Sequence, residues 1–94
     1  VAKWVTNAPR TYLVEQWTGA NFVEFEAFCA EHTPWALPVV DNGDGTVSLN
    51  PDSGMPPIPA GDWISAVGLI PAANMVSFQD VSGVPPFTFT VAGT

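Results

Sequence analysis

Basic side chains are almost missing from this chain. Lys3 and Arg10 are the only two, against nine carboxylates, and the formal net charge is −7. Two cations cannot neutralise a run of phosphates, which argues against direct nucleic-acid binding. Adhesion to an anionic lipid surface is disfavoured for the same reason. Cysteine is scarce too. Cys29 stands alone, so no internal disulfide is expected and no oxidising compartment is implied. No apolar run approaches the ~18 residues of a membrane-spanning helix. The start, Val1-Ala2-Lys3-Trp4, lacks the apolar stretch of a secretory signal. Charge of either sign is thin, at 12% of residues against a usual ~25%. The surface must then be built from Ser, Thr, Asn, Gly, Pro and apolar side chains. Packed assemblies tolerate such a surface because neighbours cover it, whereas a free protein relies on net charge for solubility.

What is present suffices for one small core. The 94 residues are 47% hydrophobic and include four Trp and six Phe, too apolar for a disordered segment and sized for a single domain. Residues Val1 to Pro9 read as an arm or short edge strand. Arg10 to Trp17 alternates, with apolar residues on both faces, which predicts a central strand. Thr18-Gly19-Ala20 breaks it. Asn21 is placed as a helix N-cap, with Glu24 in the capping-box position. Phe22, Phe25, Phe28 and Cys29 share one helical face, so a helix is expected from Asn21 to His32, stopped by Thr33-Pro34.

Prolines and glycines then punctuate the chain. Leu37 to Val40 and Thr46 to Leu49 flank the hairpin loop Asp41-Asn42-Gly43-Asp44-Gly45. Asn50 to Pro57 is a rigid connection. Pro59-Ala60-Gly61-Asp62 is a turn feeding a strand from Trp63 to Val67, with Trp63 or Ile64 facing a core. A turn region is expected over Gly68 to Asn74 and a short strand over Met75 to Phe78. Phe87 to Val91 alternates as a half-buried strand. The sum is an α+β fold: one helix packed on a small, mostly antiparallel β-sheet, with extended termini. The expected organisation is an N-terminal arm over 1–9, an α+β domain over 10–83 and a C-terminal strand or arm over 84–94.

No constellation of side chains points to a reaction. The loop from Asp41 has glycines where a calcium hand needs its third and fifth ligands, leaving a hairpin turn with at most weak calcium binding. Cys29 and His32 are three apart on the helix, within reach of each other. Cys29 lies on the phenylalanine face, where cysteine behaves as a small hydrophobe, and no third orienting group is in sight. One Cys and one His also make too few ligands for a metal. Glu15, Glu24, Glu26, Glu31 and Asp62 have spacings that converge no two of them. Asp62, between a glycine turn and Trp63, is suited to bonding turn amides. Neither catalysis nor a cofactor is expected.

Two stretches carry a resemblance. Leu13-Val14-Glu15-Gln16-Trp17-Thr18-Gly19-Ala20-Asn21, followed by the helix, is similar to the start of a family of short bacteriophage proteins of unassigned function. Pro59-Ala60-Gly61-Asp62-Trp63-Ile64 resembles the Pro-Gly-Asp-Trp-Ile signature of the same family. Their order and separation agree with it. Ala60 is an insertion relative to that signature, and the C-terminal part departs from the family pattern. The resemblance implies a phage origin and a small α+β fold, and brings no catalytic residue with it.

The expectation is a virion-associated structural protein, most concretely a capsid decoration or minor accessory subunit on a major capsid or other virion protein in multiple copies. It would act by apolar burial and strand addition, without chemistry. Tryptophans beside irregular segments suit interface anchors. The candidate partner-binding residues are Trp4, Val5 and Trp35, with Phe87, Phe89 and Val91 on the terminal strand. The alternative is a soluble phage accessory protein that binds a basic host or defence component in the cytosol through its acidic surface.

Overall fold

The computed structural model describes residues 2–7 and 10–81. Their elements run β1 (Lys3–Asn7), β2 (Arg10–Gln16), α1 (Phe22–His32), β3 (Val39–Asp41), β4 (Val47–Leu49), β5 (Trp63–Ser65), β6 (Gly68–Ile70) and β7 (Gln79–Asp80). Short 3-10 turns cover Pro34–Ala36, Pro51–Ser53 and Ala72–Ser77. Five strands form one antiparallel sheet in the order β6-β5-β2-β1-β7, and β3 and β4 form a separate hairpin. The fold is α+β.

Alternation along β1 and β2 sorts the two faces of the sheet. Trp4 opposes Leu13, and Val5 opposes Tyr12. Trp4, Leu13 and Glu15 therefore point to one face, and Val5, Tyr12 and Val14 to the other. Ile64 opposes Glu15 on β5, which puts it on the first face, and Trp63 on the second. Of the two residues that end the Pro59–Ile64 stretch, Ile64 is the core one, fully buried.

The first face carries the core. Trp17 and Ile64 meet Phe25, Phe28 and Cys29 from α1, and Val39, Val47 and Leu49 from the β3–β4 hairpin. Each such side chain contributes roughly 1.5–3 kcal/mol of burial. Ile58 closes one side by exchanging two backbone hydrogen bonds with Val47, at 3.1 and 2.7 Å, so the proline-rich connection docks along β4. Trp17 joins the 13–21 and 59–64 stretches. Its backbone N–H donates to Asp62 O at 2.9 Å, and its carbonyl accepts from Gly61 N at 2.7 Å. Gly61 has φ of +105°, with its missing Cβ 3.8 Å from the Ala72 Cβ, so the turn needs glycine there.

Four local expectations change. Lys3–Asn7 is an inner strand rather than an arm or edge, because Gln79 and Asp80 pair with Thr6 and Val5 on its far side. Gly68–Ile70 is a strand, paired with β5 around a turn at Ala66 and Val67. The strand expected over Met75 to Phe78 is instead mostly 3-10 turn, opened by Asp62 Oδ1, which accepts the Ala72 N–H at 3.0 Å. Asn21 precedes α1 but makes no side-chain cap. Its amide oxygen accepts from Thr18 N and Oγ1, and its Nδ2 donates to Gln16 O at 2.8 Å. The 18–21 corner thus competes for the group that would have capped the helix. The expected strand over Phe87 to Val91 lies outside the described residues.

Candidate docking groove

Past the C-terminal end of α1, the helix leaves part of the sheet's first face uncovered. Trp4 and Leu13, register partners on β1 and β2, lie in this gap. Glu31 and His32 bound it on the helix side, Ala66 and Val67 on the β5–β6 turn, and Arg10 on the far strand end. The result is an open groove of about 690 Å³. Its lining is mainly apolar and aromatic, with a few polar groups, the usual make-up of a binding cleft.

One of the sequence candidates lines this groove, and a second is bonded to its wall. Trp4 lines the groove directly. Trp35 is 39% exposed and donates its indole N–H to Ala66 O at 2.9 Å, which fixes the Pro34–Ala36 turn against the groove wall. Val67, next to it, is 79% exposed. Val5 is 1% exposed within the sheet, so it offers no surface to a partner. Phe87, Phe89 and Val91 lie outside the described residues.

Polar groups in and around the groove are partly engaged. His32 packs its ring against Phe28, centroids 4.8 Å apart, and holds Nε2 3.7 Å from Glu31 Oε2. Arg10 is exposed, and its backbone carbonyl accepts from Thr6 Oγ1 at 2.9 Å. Thr11, also in the lining, buries its Oγ1 without a hydrogen-bond partner in the structure. A buried hydroxyl without a partner costs stability.

The chemical candidates separate in space. Cys29 is fully buried in the core, and burial pushes its thiol above the ordinary range. That is the reverse of what a nucleophile needs. Glu15 and Glu24 do come together, across the start of α1. Burial pushes the Glu15 carboxyl up, and its hydrogen bond with Glu24 adds to that. This convergence was hidden in sequence because it depends on the angle between β2 and α1. Neither residue lines the groove.

The Asp41–Gly45 loop spends its carboxylates on itself. Asp41 Oδ1 accepts from Gly43 N at 3.0 Å, and Asp44 Oδ1 accepts from the Thr46 N–H and hydroxyl. The Thr46 side-chain hydrogen bond holds the Asp44 carboxyl below its ordinary value. Among the described residues, no group of three or more His, Cys, Asp or Glu is gathered as for a metal ion. No described helix is long and apolar enough to cross a membrane.

No family model, curated protein or solved structure matches this chain.

Proposed function

We propose that this chain is a bacteriophage virion-associated structural protein, a capsid decoration or minor accessory subunit that docks on a protein lattice without chemistry. The observation that carries the proposal is an open groove lined by Trp4 and exposed Val67, with the exposed Trp35 bonded to its wall at Ala66. Large aromatics at the rim and floor of a cleft are the side chains that dominate binding energy at protein interfaces. The resemblance of the 13–21 and 59–64 stretches to phage proteins supplies the context, and the thin surface charge suits a protein covered by neighbours. Repetition over a lattice turns a weak single contact into firm attachment.

Mass spectrometry of purified virions is the direct test. The chain should be present at a defined copy number relative to the major capsid protein. Val67→Asp should lower that copy number while leaving the isolated protein folded. Absence of the chain from particles would overturn the proposal. It would favour the cytosolic alternative, which draws its support from the carboxylates on α1 and the β3–β4 loop.

A further inference from the structure

Helix α1 has a second apolar face. Phe25, Phe28 and Cys29 point into the core, yet Val23, Ala27 and Ala30 recur at the i, i+4, i+7 spacing of a separate stripe on the outside. Val23 is 81% exposed. The stripe does not stand alone on a convex surface. The chain returns past it at Leu37, Pro38 and Val39, making a groove of about 480 Å³. Val40, the next residue on β3, is 41% exposed.

Among the described side chains that line or adjoin this groove, the charge is negative. Glu26 is the only charged residue in its lining. Asp41 ends the neighbouring strand, directly after Val40. Both basic side chains of the protein are elsewhere. Lys3 sits 4.8 Å from the Trp63 ring centroid and 3.7 Å from Asp80, on the sheet's second face. Arg10 belongs to the Trp4 groove.

We infer that the Val23–Ala27–Ala30 groove receives an amphipathic helix of a basic partner protein, apolar side chains inward and Lys or Arg side chains toward Glu26. An eleven-residue helix is about 16 Å long, enough for three or so turns of a partner and its i, i+4, i+7 anchors. Ala27 and Ala30 allow close approach, toward the short end of the ~8–10 Å range between packed helices. The charge selects among occupants. A second copy of this chain brings another −7 and is repelled. An anionic bilayer is repelled likewise. This groove is independent of the Trp4–Trp35 groove, and either can fail without the other.

The test uses the full chain, isotope-labelled, titrated with a synthetic amphipathic helix of Leu and Lys, about 18 residues long. A Leu/Glu helix of the same pattern is the control. The Leu/Lys helix should shift the amides of Val23, Glu26, Ala27, Ala30, Leu37 and Val39, and the Leu/Glu helix should not. Val23→Asp is the decisive variant. It adds a negative charge, so attraction by charge alone would tighten binding. Loss of an apolar anchor should instead weaken it about tenfold. Glu26→Lys should weaken it several-fold through the charge contact. Equal or tighter binding by V23D, or shifts spread over all the carboxylates, overturns the inference. Concentration-dependent self-association through the same amides would assign the groove to a second copy, and overturns it too.

Discussion

Replacing Trp17 by phenylalanine tests whether one side chain holds the sheet, the helix and the β3–β4 loop together. Trp17 is fully buried, its ring 5.6 Å from the Phe25 centroid and 6.5 Å from Phe22. Its indole N–H donates to Gly45 O at 3.0 Å, the one side-chain bond from the core to the loop tip among those described. Trp17→Phe removes that bond, worth about 1 kcal/mol. Gly45 is exposed, so water can replace the lost donor and no further penalty is due there. The smaller ring also leaves a void. Truncating a core Trp to Ala costs ~3–5 kcal/mol, and Phe keeps most of the ring, so about 1–2 kcal/mol is assigned to the missing atoms. The total is about 2–3 kcal/mol, a large part of the ~5–15 kcal/mol of a typical domain but short of unfolding it. Urea denaturation followed by circular dichroism reads the total. Amide exchange of Gly43, Gly45 and Thr46 reads the loop separately, and should quicken in the variant. A loss under about 1 kcal/mol with unchanged loop exchange would refute the reasoning.

The other expectations are local. Ile64→Ala should cost about 2–5 kcal/mol in urea melts, and Trp63→Leu clearly less, because Trp63 is only partly buried, on the opposite face, with Lys3 over its ring; equal losses would contradict the assigned faces. The hydrogen bond to Asp44 is favoured by its ionised form, so the loop's order should be full above the ordinary carboxylate range. It should fade as pH falls through the lowered Asp44 value. An NMR titration of the Thr46 amide would show this, and Asp44→Asn should abolish the step. Cys29 should resist iodoacetamide in the native protein, since it is fully buried with its thiol pushed up. Labelling at the rate of a free thiol would mean that α1 opens far more readily than its packing allows.

The readable parts of the fold were those with strong local pattern. Arg10 to Trp17 declared a central strand because both of its faces are apolar, and Phe22, Phe25, Phe28 and Cys29 declared the inner face of α1. The Asp41–Gly45 loop followed from turn chemistry. The errors share a cause: partners supplied from far along the chain. β1 looked peripheral because its second neighbour is Gln79-Asp80, two polar residues with no strand signal. Gly68 and Pro71 read as punctuation, yet the strand between them is set by pairing with β5. Trp4 and Trp35 each stood out in the sequence as anchor candidates. That Ala66, which bonds Trp35, lines the same groove as Trp4 did not, since no local pattern relates these positions. The outer stripe of α1 was masked by the stronger phenylalanine pattern within the same eleven residues.

The strand order also governs when this protein can finish folding. β1 lies between β2 and β7, and β2 lies between β1 and β5. The β1–β2 hairpin is local and can close early, but each of its strands has an outer edge filled only by later sequence. Such distant pairings carry a loop-closure cost and slow the search for the native state. During synthesis the hairpin leaves the ribosome with both edges bare until β5, and then β7, are available. Open edges of that kind invite pairing with other chains. A chain cut short before Gln79 would keep β1 as a permanent open edge. The vulnerable state of this protein is therefore its half-made form, and slowing translation between Gly43 and Ile58, when both edges are bare, should raise aggregation more than slowing it between Ser65 and Gln79, when only the β1 edge is open.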